Sequence, residues 1–213
     1  MQKILLGAAA VVAIAAGVTF AQFGMGPPGA KVLSAAEKAN CGLSVEVTEG
    51  PYYVSGTSAL STGNLNASNV AGTPIQISGQ VYEGLDNARP VANAKIEIWH
   101  ADGAGSYHPN NNGSVANYKP EDIALRGFIT TDAKGAYSFT SIYPGEYTGR
   151  TRHIHFKITA ASKTLTTQLI IPSLTGDKLT FDEDTIAKGL PDCALLKFDT
   201  SVTPQSARFD FRL

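Results

Sequence analysis

RHIHFKI, residues 152–158, alternates between two kinds of chemistry. In an extended strand successive side chains point to opposite faces. Ile154, Phe156 and Ile158 then fall on one apolar face, and His153 and His155 project together from the other. The same period of two recurs at Ile75, Ile77, Gly79 and Val81, at Ala94, Ile96 and Ile98, and at Ala207, Phe209, Phe211 and Leu213. Turn pairs separate these runs: Asp102-Gly103, Lys134-Gly135, Pro144-Gly145 and Thr175-Gly176. Many short strands punctuated by Gly and Pro predict an all-β fold with little helix, an antiparallel β-sandwich or barrel. Beyond the N-terminus only residues 180–190 (TFDEDTIAKGL) hint at a helix. Residues 103–122 read as one long polar loop, and long loops on a β scaffold often carry function.

A chain of 213 residues is long enough for one well-buried domain and short for two. With 43% hydrophobic residues, 16% charged and a net charge of −1, it has no basic surface to attract nucleic acid, and a small-molecule partner is expected. Lys3 opens the N-terminus, an uncharged apolar run follows from Ile4, and Thr19-Phe20-Ala21 resembles a cleavage site. That grammar predicts an export signal over 1–21. An uncleaved membrane anchor is the alternative, since the run approaches bilayer-spanning length. The wealth of Ala and Gly favours the signal, hence an exported (periplasmic or secreted) protein with no stable membrane insertion after its removal. Residues 22–40, broken by Pro27-Pro28-Gly29, read as a linker, and 41–213 as the domain. Its two cysteines, Cys41 and Cys193, are expected to form a disulfide in an oxidising compartment.

Two imidazoles one pleat repeat apart can reach a single metal ion. Taken alone, H-x-H describes a solvated strand face equally well. Two tyrosines bear on the choice: Tyr147 follows the Pro144-Gly145 turn, and Tyr107 sits in the long loop. A phenol bound to a trivalent cation ionises far below its free pKa of ~10. Two tyrosinates and two neutral imidazoles suit a hard, oxidised ion such as Fe(III). Against this, most of the eight tyrosines in a chain like this serve packing.

The sequence resembles the intradiol ring-cleavage dioxygenases, the family of catechol, hydroxyquinol and protocatechuate enzymes. Thr48-Glu49-Gly50-Pro51-Tyr52-Tyr53 matches its segment T-x-G-P-Y-Y, and Trp99-His100-Ala101-Asp102 through Gly105-Ser106-Tyr107 matches W-Q-A-[ND]-x-x-G-x-Y. Arg126-Gly127, Thr131-Asp132, Gly135, Tyr137 and Phe139 follow in family order. Pro144-Gly145-Glu146-Tyr147 and Arg150 through Phe156 then match P-G-x-Y and R-P-A-H-I-H-F. The resemblance implies Tyr107, Tyr147, His153 and His155 as the ligands of a non-haem Fe(III). It also implies Arg150 facing the substrate ring with Gln168 as its partner, and Tyr52, Tyr53 and Trp99 beside the substrate. The reaction it implies is insertion of both atoms of O2 between the hydroxylated carbons of a small aromatic diol, giving a cis,cis-muconate-type product.

Departures accompany the matches. Arg152 stands where the family has Ala; it either meets an anionic catechol or forms a salt bridge. Thr151 replaces Pro, which loosens that turn. His100 replaces Gln and shares a strand face with Ile96 and Ile98, which predicts a satisfied interior histidine. Two other functions fit parts of the pattern. The strand motifs also resemble prealbumin-like sandwich modules, which bind or adhere without catalysis. An exported iron dioxygenase for larger polyphenols would suit the long loop. Oligomeric state is left open by the sequence.

Overall fold

The computed structural model describes residues 42–85, 88–161 and 163–213. The expected export segment, the linker and Cys41 lie outside the described residues. No helix among the described residues is long and apolar enough to cross a membrane.

The described strands are β1 (Val54–Ser55), β2 (Pro74–Glu83), β3 (Arg89–Pro90), β4 (Lys95–Trp99), β5 (Gly113–Ser114), β6 (Arg126–Thr130), β7 (Ala136–Ile142), β8 (His153–Ala160), β9 (Lys163–Ile170), β10 (Gln205–Arg208) and β11 (Phe211–Arg212). Four of them form one antiparallel sheet in the order β6-β4-β8-β9. The second sheet is built around β2, with β7 and β3 antiparallel to it. The all-β sandwich expected from the alternating runs is therefore present, with one correction. The C-terminal run lies parallel to β2 and is split into β10 and β11. Asp210 causes the break: its Oδ1 accepts from the Gln80 amide at 3.0 Å, replacing a backbone partner. Alongside, the Phe209 carbonyl presses on Gly79, where a Cβ would have no room.

The apolar halves of the alternating strands meet between the sheets. Ile96, Ile98, Ile154, Phe156, Ile158 and Leu169 face Ile75, Ile77, Val81, Phe139 and Phe211, all essentially inaccessible to water. Phe156 sits at the centre, 5.0 Å from Phe211 and 6.1 Å from Phe139 between ring centroids. Burying one such side chain contributes about 1.5–3 kcal/mol. His100 belongs to this interior as expected: it is 0% exposed, with Nδ1 2.7 Å from the Ala101 carbonyl and Nε2 2.7 Å from Ser141 Oγ.

Strand register decides what the opposite, outward face of the four-stranded sheet carries. Trp99 pairs with Arg126 on one side and His155 on the other, and His155 pairs with Gln168. One rung across four strands thus reads Arg126, Trp99, His155, Gln168. The segment before β1 lies over this face: the Val47 amide donates to Thr166 O at 2.8 Å, and Gln168 Nε2 donates to Thr48 O at 2.9 Å.

The helical hint over 180–190 is corrected. The segment is a loop with a single 3₁₀ turn at Ala187–Gly189. Asp184 Oδ1 accepts from the amides of Ile186 and Ala187 at 2.9 and 3.0 Å. A side chain that captures nearby amides offers the backbone an alternative to a helix.

Candidate metal centre

Two loops bring the tyrosines onto the histidine face. In the first, Asp102 Oδ1 accepts from the amides of Ala104 and Ser106, both at 2.9 Å, and Oδ2 lies 2.8 Å from His108 Nε2. In the second, Tyr147 and Arg150 exchange backbone hydrogen bonds of 3.2 and 2.9 Å around Gly149, whose φ of +76° suits a residue without Cβ. The loops touch where the Gly145 amide donates to the Asp102 carbonyl at 2.7 Å. Gly105 lies directly against the Glu146 carbonyl, so no side chain fits there.

Four donor atoms converge as a result. Tyr107 Oη lies 3.3 Å from His153 Nε2 and 3.1 Å from His155 Nε2, and Tyr147 Oη lies 3.4 Å from His153 Nε2. Atoms bound about 2.0–2.2 Å from one ion stand roughly 3–3.5 Å apart, so the four fit one coordination sphere. Among the described residues no group of three or more His, Cys, Asp and Glu is placed to hold a metal. Any metal at this site therefore depends on the two phenols.

Burial sets the protonation of the donors. It pushes His153 down to about 3, with the Arg150 charge acting the same way, and holds His155 well below the usual imidazole range. Both rings are neutral, the form that ligates. Burial also raises both phenols, Tyr107 well above 10. Only a strong Lewis acid would ionise them at neutral pH. His153 Nδ1 is 2.6 Å from the Thr151 carbonyl, which fixes the proton on that nitrogen and leaves Nε2 free to bind. His155 is held by stacking instead: Trp99 lies parallel to it at 4.8 Å, and its own Nδ1 meets no partner among the described residues.

Arg150 and Gln168 come together as expected, with Arg150 Nη2 donating to Gln168 Oε1 at 2.6 Å and Nη1 lying 3.4 Å from Tyr147 Oη. Tyr52 stacks on Tyr107 at 4.4 Å and meets Tyr147 edge-on at 5.8 Å, at the rim of the cluster.

Three expected substrate contacts are placed differently. Trp99, 2% exposed, is covered by His155 and by Tyr53 at 4.9 Å, so its ring braces His155. The Tyr53 hydroxyl donates to Glu97 Oε1 at 3.1 Å, turned down the strand away from the cluster. Arg152 lies off the histidine face: it makes a bidentate pair with Asp177 at 2.6–3.1 Å and donates to the Pro144 carbonyl at 2.6 Å. Its charge is spent on that ion pair, the second of the two roles open to it in the sequence.

Two residues gain a role that the strand pattern did not assign. Arg126, 7% exposed, donates to the carbonyls of His108, Tyr52 and Pro109, clamping the segments that carry Tyr52 and Tyr107. Its place in family order beside Gly127 was the only signal. The other is Asp184, which backs Arg150 at 3.1 Å. No periodicity links it to the site.

Comparison with known proteins gives the chain a family. A family model described as dioxygenase matches residues 48–213. A hydroxyquinol 1,2-dioxygenase of Nocardioides simplex is 30% identical over 169 residues, covering 70% of this chain and 53% of that protein. A catechol 1,2-dioxygenase of Acinetobacter lwoffii is 33% identical over 176 residues, covering 71% and 53%. The chain spans about half the length of the curated relatives it matches. Among solved structures, the dioxygenase domain of a dioxygenase–carbohydrate-binding fusion from Streptomyces sp. SirexAA-E is similar, with a TM-score of 0.64 at 28% identity over 80% of this chain and 97% of that one. An intradiol ring-cleavage dioxygenase from Tetranychus urticae shares the fold, with a TM-score of 0.68 at 21% identity over 81% and 94%. From its sequence match and its fold, the chain belongs to the intradiol ring-cleavage dioxygenase family.

Proposed function

We propose that the protein is a non-haem Fe(III) dioxygenase that opens a small catechol-type ring between its two hydroxylated carbons. Both atoms of O2 enter the product, a cis,cis-muconate-type diacid, and O2 supplies all the oxidising equivalents. One observation carries this reading: two phenols and two neutral imidazoles are linked by donor-atom contacts of 3.1–3.4 Å, with a guanidinium–carboxamide pair at their edge. Tyr107, Tyr147, His153 and His155 would hold the iron, which when bound supplies the Lewis acidity that ionises phenols and diols at neutral pH.

The remaining chemistry belongs to the chain. Tyr107, 3% exposed under Tyr52, is held in place by its neighbours. Tyr147 is only half-buried, so its Oη is the phenol able to take up a proton as a diol hydroxyl loses one. Arg150 keeps positive charge beside Tyr147 Oη, where negative charge develops on the opening ring, a preorganised electrostatic role. Gln168 orients that guanidinium and is itself tied to Thr48. The test is turnover of catechol, hydroxyquinol and protocatechuate under ¹⁸O2. The proposal expects a ring-opened diacid with two labelled oxygens; a product with one or none contradicts it. Arg150→Ala is expected to lower kcat about 10²–10³-fold at unchanged iron content.

The proposal extends to export and to the Cys41–Cys193 disulfide. The apolar run after Lys3 supports export. Cys193 has no disulfide partner among the described residues, and what supports the pairing is its place in a cleft of about 20 Å³ lined also by Gly42, the sequence neighbour of Cys41. Intact mass of protein secreted from its host, with and without reductant, tests both: loss of residues 1–21 and a gain of two protons on reduction.

A further inference from the structure

Asp184 has a side chain 0% exposed to water, in a loop that the strand pattern leaves unassigned. A carboxylate survives such burial only when its oxygens are fully engaged. Arg150 Nε donates to Oδ1 and Oδ2, both at 3.1 Å. The Thr151 amide and hydroxyl donate to Oδ2 at 2.8 and 2.9 Å. The amides of Ile186 and Ala187 complete Oδ1. Burial alone would raise this carboxyl, but the amides of Ala187 and Thr151 and the Arg150 charge outweigh it and hold it below the usual carboxylate range.

Both partners of Asp184 lead into the metal centre. Arg150, held from behind through Nε, turns Nη2 to Gln168 and Nη1 to Tyr147. Thr151, held by amide and hydroxyl, presents its carbonyl to His153 Nδ1 at 2.6 Å. Thr151 is also where this chain departs from the R-P-A-H-I-H-F pattern. Proline there would supply neither the amide proton nor the hydroxyl that Asp184 binds.

We propose that Asp184 is the positioning residue of the site, fixing the Arg150 guanidinium directly and the His153 imidazole through Thr151. Its consequence for turnover rests on the dioxygenase reading, whereas its effect on the two side chains does not. The experiment is therefore read out twice. In ¹⁵N-labelled, iron-free protein, Arg150 Nε–H and His153 Nδ1–H are expected as separate, slowly exchanging signals. Asp184→Asn keeps the shape and removes the charge. It should speed exchange at both positions and lower kcat on catechol about 10- to 100-fold, the usual cost of losing such an outer partner, with KM less affected.

Fast exchange of Arg150 Nε–H in the unsubstituted protein overturns the proposal without any variant. Unchanged exchange in Asp184→Asn, or faster exchange with kcat intact, also overturns it. Faster exchange in a protein that opens no catechol upholds the positioning and sinks the dioxygenase reading instead. If Asp184→Asn does not fold, Thr151→Val removes one donor and keeps the carboxylate. A faster His153 Nδ1–H exchange is then the supporting result, and no change the contrary one.

Discussion

On β8, Ile154, Phe156 and Ile158 are sealed against the facing sheet, while His153 and His155 are equally sealed on the other side beneath loops. Burial does not distinguish the two faces. What differs is the kind of neighbour. Phe156 meets other rings and aliphatic chains in contacts without direction. His153 meets a carbonyl and two phenol oxygens at fixed angles. Non-directional packing tolerates a change of shape at a cost in stability. Directional contacts convert the same change into lost chemistry. A single strand can thus serve stability with one face and reactivity with the other.

Substitution on the two faces should separate these roles. His155→Ala is expected to have the largest effect: iron retention falls by more than the about 100-fold that losing an outer partner costs, while the iron-free protein still unfolds cooperatively. Iron per chain after dialysis measures it. Phe156→Ala, one residue away, should cost about 3–5 kcal/mol by denaturant unfolding. The fraction that stays folded should bind iron normally. If Phe156→Ala lost iron while still folded, or His155→Ala failed to fold, the faces would not be separable.

His100 sharpens the comparison, being an imidazole on the core side. Burial pushes it down to about 4, opposed by the Ala101 carbonyl and reinforced by Arg126. An unfolded imidazole titrates near 6.5. The unfolded chain therefore binds the extra proton first, and the stability tied to a neutral His100 is complete above pH 6.5 and lost as pH falls toward 4. The loss is on the order of 3 kcal/mol. In His100→Gln that dependence disappears, so the unsubstituted protein should lose stability relative to the variant as pH falls from 6.5 to 4. Parallel curves over that window would contradict the assignment. Arg152→Gln should have the smallest effect: stability falls by about 1 kcal/mol, and KM values for neutral and carboxylated catechols stay unchanged. A KM that rises only for the carboxylated substrate would return Arg152 to the site.

How much of this was legible in the sequence follows from the range of each interaction. Alternation is local, so β2, β4 and β8, the shared face of His153 and His155, and the inward turn of His100 could all be read directly. Tyr107 and Tyr147 followed from their turns and from family spacing. Arg152 and Trp99 carried the right chemistry, but only contacts could place them, with Asp177 for one and between Tyr53 and His155 for the other. Asp184 looked like part of a helix because its captured amides leave no mark in the residue pattern. The break between the terminal strands depends on Asp210 meeting Gln80 from 130 residues away, a pairing that periodicity cannot encode.

On the proposed function, the outer face of β8 and its two loops form a ferric tyrosinate centre open to a diol. A visible spectrum of the purified protein, with iron quantified, before and after anaerobic addition of catechol, tests it most directly. Charge transfer from Tyr107 and Tyr147 to Fe(III) should colour the protein at one iron per chain, and catechol should shift the band. A protein that stays colourless after Fe(III) loading, or whose colour catechol leaves unmoved, would mean that these residues form no such centre.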